Sequence, residues 1–126
     1  MSISVAAIDL GASSGRVMVG EVGADHLELR AVARFANEPV RTSDGLHWDP
    51  LELYRHALSG LWTAASSSPD GLESVAVDSW AVDYALMRAD RMLGVPFHYR
   101  DERTAAGVER IHARVPFAKL YARNGL

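Results

Sequence analysis

Residues 7–22 read Ala-Ile-Asp-Leu-Gly-Ala-Ser-Ser-Gly-Arg-Val-Met-Val-Gly-Glu-Val, and the element beyond the small residues, strand or helix, decides the fold. Ile3 to Leu10 is a β-branched, alanine-rich run with Asp9 near its end, which reads as a buried strand. Gly11 to Gly15 reads as a turn. Val17-Met18-Val19 then starts a second strand rather than a helix. Gly23-Ala24-Asp25 turns the chain again. Leu27, Leu29, Ala31, Ala33 and Phe35 alternate with Glu28, Arg30 and Arg34, the period of a half-exposed third strand. Three strands joined by tight turns predict an antiparallel meander.

Outward from the meander, residues 36–47 read as a loop, with a short strand near Leu46-His47-Trp48. Asp49-Pro50-Leu51-Glu52 has the N-cap, N1 and N3 chemistry of a helix start. Leu51, Tyr54, Leu58, Leu61, Trp62 and Ala65 come next at helical spacing, until Ser66 to Gly71 ends the helix. Val75-Ala76-Val77 is a second continuous apolar strand ending in Asp78. Strand, helix, strand predicts a crossover and a parallel pairing. Val82 to Met87 reads as a further strand, Ala89-Asp90-Arg91 as a turn, and Leu93 to Tyr99 as the return. A helix opens at Arg100 to Thr104 and carries Ala105, Val108, Ile111 and Val115. Pro116 starts a last short helix, which Gly125 stops. The expected class is α/β: a mixed sheet with an antiparallel N-terminal meander and flanking helices. That is not the strand order of a dinucleotide-binding fold.

The chain has 126 residues, enough for one domain with one core, and is 48% hydrophobic and 23% charged. Its formal net charge of −3 provides no basic field for nucleic acid or an anionic membrane. With no cysteine there is neither a disulfide framework nor a thiolate metal site, which fits a reducing compartment. The start, Met1-Ser2-Ile3-Ser4, has no positive segment of a signal peptide, and no apolar stretch is long enough to span a bilayer. These features predict a cytoplasmic protein. The five histidines are scattered, none with a partner at metal-ligand spacing.

Four readings compete for Asp9 to Arg16. In a phosphate-binding hairpin, a turn of small residues exposes several N–H donors and lets a polyphosphate come close. Ser13 and Ser14 add hydroxyls, Arg16 a fixed charge or a brace, and Asp9 a hard oxygen ligand for Mg²⁺. A Walker loop needs a lysine that is missing here, and a Rossmann loop needs a different glycine spacing; both need a helix where Val-Met-Val stands. Gly11-Ala12-Ser13-Ser14-Gly15 also matches the Gly-x-Ser-x-Gly of a hydrolase nucleophile elbow, with Asp78 or Asp83 and then His98 or His112 later in the chain. An elbow, however, is strand–turn–helix. The fourth reading is a plain hairpin turn, which these residue types populate anyway.

Two more segments are dense in ligand chemistry. Val77-Asp78-Ser79-Trp80-Ala81-Val82-Asp83-Tyr84 sets two carboxylates and an indole around a strand end, where open α/β sheets bind ligands. Trp80 can equally be core and Asp83 surface. In His98-Tyr99-Arg100-Asp101-Glu102-Arg103-Thr104, Arg100 and Asp101 can bind hydroxyls, or Asp101 can cap the helix while the charges pair locally.

Together with His47-Trp48-Asp49, these segments resemble the FGGY family of carbohydrate kinases, and within it the branch acting on L-rhamnulose. The resemblance runs in order through essentially the whole chain. It implies one part of an actin-like (ribonuclease-H-like) ATPase fold of two lobes, with residues 1–126 a partial N-terminal domain and the C-terminal lobe absent. It implies ATP and Mg²⁺ as cofactors and transfer of the γ-phosphate to a ketose 1-hydroxyl. Gly11, Ala12, Ser13, Ser14, Gly15 and Arg16 would form the ATP phosphate loop, and Asp9 would reach Mg²⁺, through water. Trp80, Ala81, Asp83, Arg100 and Asp101 would contribute to the sugar pocket. Two departures stand out. Ala81 occupies a position where the family often has Gly, and its Cβ narrows the pocket. The family's catalytic Asp lies beyond this chain, so none of the present residues is assigned that role. The expectation is weak ATP affinity, no useful turnover by this chain alone, and an apolar face left exposed on the last helix. The alternative is a non-catalytic binding module of the same fold.

Overall fold

The computed structural model describes residues 2–125; Met1 and Leu126, the ends of the expected 1–126 unit, lie outside the described residues. The meander is present as β1 (Ile3–Leu10), β2 (Ser14–Val22) and β3 (Leu27–Ala36), each antiparallel to the next. A bulge between Val17 and Met18 shifts the β2–β3 register. A small hairpin, β4 (Val40–Thr42) and β5 (Gly45–His47), precedes α1 (Pro50–Ser66). The chain then crosses over to β6 (Ser74–Ser79), which pairs parallel with β1 and completes the sheet in the order β3-β2-β1-β6. A two-residue ladder, β7 (Met87–Arg88) with β8 (Arg91–Met92), and the helices α2 (Arg103–Arg114) and α3 (Phe117–Asn124) complete the chain. The class is α/β, a mixed sheet with an antiparallel meander, as expected.

The core lies between α1 and one face of the sheet. Ala6 and Ile8 of β1, Val17 and Val19 of β2, and Phe35 of β3 pack against Leu53 and Ala64 of α1. Strand alternation sends Asp9, Arg16 and Asp78 to the opposite face. Two glycines permit this closeness. A Cβ on Gly60 would overlap the Val17 side chain, and one on Gly15 would overlap the Phe35 ring. The start of α1 is as expected: the Asp49 carboxylate accepts the Glu52 N–H at 3.0 Å, with Pro in the first turn. Glu52 does not complete a capping box; it pairs with Arg55 and His56.

Three expectations are corrected. Of the helical stripe Leu51, Tyr54, Leu58, Leu61, Trp62 and Ala65, Leu61 alone packs against the core and the rest are exposed, Trp62 at 78%. The helix instead buries Leu53, Gly60 and Ala64, with Ala57 and Leu61 partly covered, because small residues bring its axis closer to the sheet. Val82 to Met87 and Leu93 to Tyr99 do not form a strand pair. Only Met87–Arg88 and Arg91–Met92 are paired, together with an isolated bridge from Phe97 to His47. The physical reason is at Val82, whose φ of 73° turns the chain out of the extended path. Finally, α1 alone packs on the sheet, since α2 and α3 bury no residue. The exposed apolar face expected on the last helix is there, with Phe117 and Tyr121 both open to solvent. Gly125 ends α3 at φ 74°. No helix among the described residues is long and apolar enough to cross a membrane.

Candidate functional site

Parallel pairing sets the site. Asp9 lies opposite Asp78 and Leu10 opposite Ser79, so β1 and β6 end at the same edge. The Trp80 N–H donates to the Leu10 carbonyl at 3.1 Å, carrying the pairing one residue further. The 11–16 turn and the 80–83 segment therefore leave the sheet side by side, beyond strand carboxyl ends.

The turn is a hairpin and leads into a strand at Ser14, so the nucleophile-elbow reading, which needs a helix there, fails. The Gly11 N–H donates to the Ser14 carbonyl at 2.9 Å, and a Cβ on Gly11 would stand 2.7 Å from that oxygen. Ser13 and Ser14 are exposed and Ala12 half-buried, as an approachable loop requires. Sequence reasoning missed Asn37, left in the 36–47 loop. Its side chain donates to the Gly11 carbonyl at 2.8 Å, and its own N–H to the Ser13 carbonyl at 3.1 Å. The available signal was an Asn directly after a strand, a residue that bonds backbone groups at turns.

On the face away from α1, Asp78, Asp9, Arg16 and Arg34 occupy one row across the four strands. Arg16 Nε sits 2.9 Å from Asp9 Oδ2, with both side chains more than a third exposed. Asp9 fits Mg²⁺ in its donor chemistry: a solvent-accessible carboxylate beside the loop, with Asp78 as its register neighbour. Mg²⁺ is commonly held by one or two carboxylates with water and substrate phosphates. Among the described residues, three possible ligands meet only at Glu21, His26 and Glu28, on the exposed β2–β3 hairpin. So one histidine does have ligand-type neighbours, which spacing alone did not reveal.

Trp80 and Asp83 do come together, and with them a residue not chosen from sequence. Trp48 is 2% exposed, and its indole N–H donates to Asp83 Oδ2 at 2.5 Å. The Trp80 indole donates to the same oxygen at 3.0 Å, and the two ring systems lie 4.2 Å apart. The left-handed turn at Val82 is what aims Asp83 back at both rings. His98 packs at a tilt against Trp48, ring centres 4.1 Å apart, and stacks on Tyr99 at 4.5 Å. Its Nδ1 accepts the Arg100 N–H at 2.9 Å, which assigns the ring proton of the neutral form to Nε2. Burial holds the His98 pKa below its ordinary value, against the opposing pull of Asp83. A cleft of about 170 Å³ is lined by Trp48, Ser79, Trp80, Asp83 and Tyr84 among others. A larger one, about 430 Å³, runs past Val40, Leu51, Met92 and Leu93 and reaches Trp48, but not Trp80 or Asp83.

Ala81 is exposed on the same segment as Asp83. Arg100 is also exposed, its guanidinium 5.2 Å from the Tyr99 ring centre, at the margin of the aromatic cluster. Asp101 is 7% exposed and faces the β4–β5 hairpin. It accepts the Leu46 N–H at 2.7 Å and the Arg103 N–H at 3.0 Å, and these bonds hold its carboxyl below the usual range.

No family model matches the chain. Among curated proteins, it is 33% identical over 121 residues to the rhamnulokinase of Bacteroides thetaiotaomicron, covering 95% of this chain and 25% of that one. It is 38% identical over 128 residues to the rhamnulokinase of Pectobacterium carotovorum, covering 98% and 25%, and 35% identical over 122 residues to that of Bacillus subtilis, covering 95% and 25%. The chain thus spans about a quarter of the length of the curated relatives it matches. Among solved structures, the gluconate kinase of Lactobacillus acidophilus superposes with a TM-score of 0.73 at 12% identity, over 97% of this chain and 25% of that one. The xylulose kinase of the same organism gives 0.72 at 12% identity, over 94% and 24%. These likenesses show the fold, that of an actin-like ATPase lobe.

Proposed function

We propose that this chain, similar over almost its whole length to the N-terminal part of FGGY carbohydrate kinases, supplies the phosphate loop and one wall of the sugar pocket of such a kinase. The reaction is ATP-dependent phosphorylation of a ketose at its 1-hydroxyl, with L-rhamnulose the first candidate. The observation that carries this reading is the shared edge of β1 and β6, which sets a hairpin of small residues, Ser13 and Ser14 exposed, beside an indole–carboxylate cluster.

The geometry suggests a role for each group. Phosphoryl transfer is mostly positioning and charge stabilisation. The Gly11 to Gly15 loop presents the Ala12 and Ser14 N–H groups and the serine hydroxyls as donors, and Arg16 holds Asp9 in place. Mg²⁺ when bound would neutralise phosphate charge, with Asp9 contacting it through water. Both indoles use Asp83 Oδ2, so Oδ1 is the oxygen placed to accept a sugar hydroxyl, with Trp80 against the C–H face. Arg100 reaches the margin of the same pocket, while Asp101 acts by fixing the hairpin that precedes Trp48. The base that takes the sugar proton belongs to the C-terminal lobe, and the chain alone binds weakly without turnover. The setting is the cytoplasm.

The test is a nitrogen-15 NMR titration of the chain. Mg²⁺–ATP at millimolar concentration is expected to shift the amides of residues 11–16, and L-rhamnulose the indole N–H signals of Trp48 and Trp80. Shifts confined to other parts of the chain, or none, would refute the proposal.

A further inference from the structure

We propose that Asn37 is the positioning residue of the 11–16 turn: its buried carboxamide, acting on the Gly11 peptide beside its own main-chain N–H on Ser13, orients the turn so that N–H donors face an incoming phosphate. This rests on reading that turn as a phosphate loop.

Asn37 directly succeeds β3 and is 5% exposed. It takes two carbonyls of the turn, Gly11 through its side chain at 2.8 Å and Ser13 through its main chain at 3.1 Å. No peptide among the described residues is cis, and in a trans peptide the C=O and the next residue's N–H point in opposite directions. A Gly11 carbonyl turned inward to Asn37 therefore turns the Ala12 N–H outward. A Ser13 carbonyl turned inward does the same for the Ser14 N–H. In a tight two-residue hairpin the Gly11 carbonyl would take the Ser14 N–H and consume that donor. Here the carbonyl goes to Asn37 while the Gly11 N–H alone closes the turn, on Ser14 at 2.9 Å.

The chemistry selects the residue type. The group facing the Gly11 carbonyl must donate and be uncharged, and a buried carboxamide does both. Aspartate would set a carboxylate against that carbonyl, and leucine fills similar space with no donor. Donors fixed before the ligand arrives need no reorganisation when charge comes to them. The turn is thus oriented from a neighbouring strand end, and its own residues stay small.

The experiment compares the nitrogen-15-labelled chain with Asn37→Leu, using inorganic tripolyphosphate as probe. Without ligand, Asn37→Leu is expected to move the Ala12 amide signal and speed its hydrogen exchange, while Ser14, oriented through a main-chain bond that Leu keeps, changes less and amides 75–79 of β6 keep theirs. With tripolyphosphate, the wild-type shifts at residues 11–16 saturate and Asn37→Leu weakens binding at least tenfold, while the L-rhamnulose response of the Trp80 indole is unchanged. If the wild type binds and Asn37→Leu binds within twofold of it, the positioning role is overturned and the phosphate loop stands. If the wild type shows no response at residues 11–16, the phosphate reading falls and the inference falls with it. Should Asn37→Leu unfold, Asn37→Ser, which keeps the main-chain bond and shortens the side-chain donor, is read by the same criteria.

Discussion

Replacing Asp83 with Ala removes one oxygen that serves two indoles. The Trp48 N–H is then orphaned on a residue only 2% exposed, and its aromatic neighbours Trp80, His98 and Tyr99 are poor substitutes for a carboxylate. An unsatisfied buried donor costs about 1–3 kcal/mol, and a lost bond to a charged acceptor about 1.5–3 kcal/mol. Trp80 is half-buried and regains part of its loss from water. The sum is about 3 kcal/mol, or roughly a 10 °C fall in melting temperature for a domain of this size. Asp83→Asn keeps an acceptor oxygen and is expected to lose about 1 kcal/mol. Urea denaturation monitored by tryptophan fluorescence measures both. A double-mutant cycle adds the specific check: in a Trp48→Phe background, which has no N–H to orphan, Asp83→Ala should cost at least 1 kcal/mol less than in the wild type (about 1–3 kcal/mol of coupling). A loss under about 1 kcal/mol for Asp83→Ala, or no coupling to Trp48, would refute the bridging role.

Other perturbations separate packing from chemistry. Gly15→Ala drives a methyl into the Phe35 ring and is expected to cost about 1–3 kcal/mol by thermal denaturation, although Ala is the better residue for an ordinary strand. Asp9→Asn breaks a pair more than a third exposed, so stability should change by less than about 1 kcal/mol, while loop shifts caused by Mg²⁺–ATP weaken severalfold in NMR titration. The His98 pKa is lowered in the fold by burial, so the unfolded chain binds more protons between that value and 6.5. Stability from His98 is therefore complete above pH 6.5 and declines as pH falls through the window below it. Urea midpoints taken between about pH 7.5 and 5.5 should drop, and His98→Asn should flatten that part of the profile.

The meander was legible because period-two alternation from Leu27 to Phe35 and two short turns leave one way to pair the strands. The parallel strand was legible because Asp49-Pro50 and Ser66 to Gly71 bracket a helix between two apolar runs that each end in Asp. Residues 80–99 were not, since their path depends on Trp48, some thirty residues away. Val82 to Met87 has β-strand composition, but Asp83 bonds two indoles and Val82 adopts a left-handed conformation to bring it there. Local propensity yields to that contact. The face of α1 was illegible for a related reason. The helix is apolar on both sides, and the choice falls to Gly60 and Ala64, whose small size lets backbone approach backbone. Asn37 carried only the faint signal of a turn residue after a strand.

The same few atoms place the candidate site and tie the fold together. Trp48 immediately precedes the Asp49 cap of α1, and Trp80 comes directly after β6, so Asp83 joins the start of the helix to the end of the crossover strand. Asp101 holds Leu46 from the other side and so fixes the hairpin from which Trp48 emerges. Asn37 does for the 11–16 turn what Asp83 does for the indoles, from the end of β3. Each site segment is thus tied to a partner distant in sequence through one polar side chain that is at least half-buried. A local segment holding its own shape would tolerate loss of that side chain. These segments should instead lose their geometry with the partner while the Ala6, Ile8, Val17 and Val19 core remains packed, because none of the three polar residues contributes to that core.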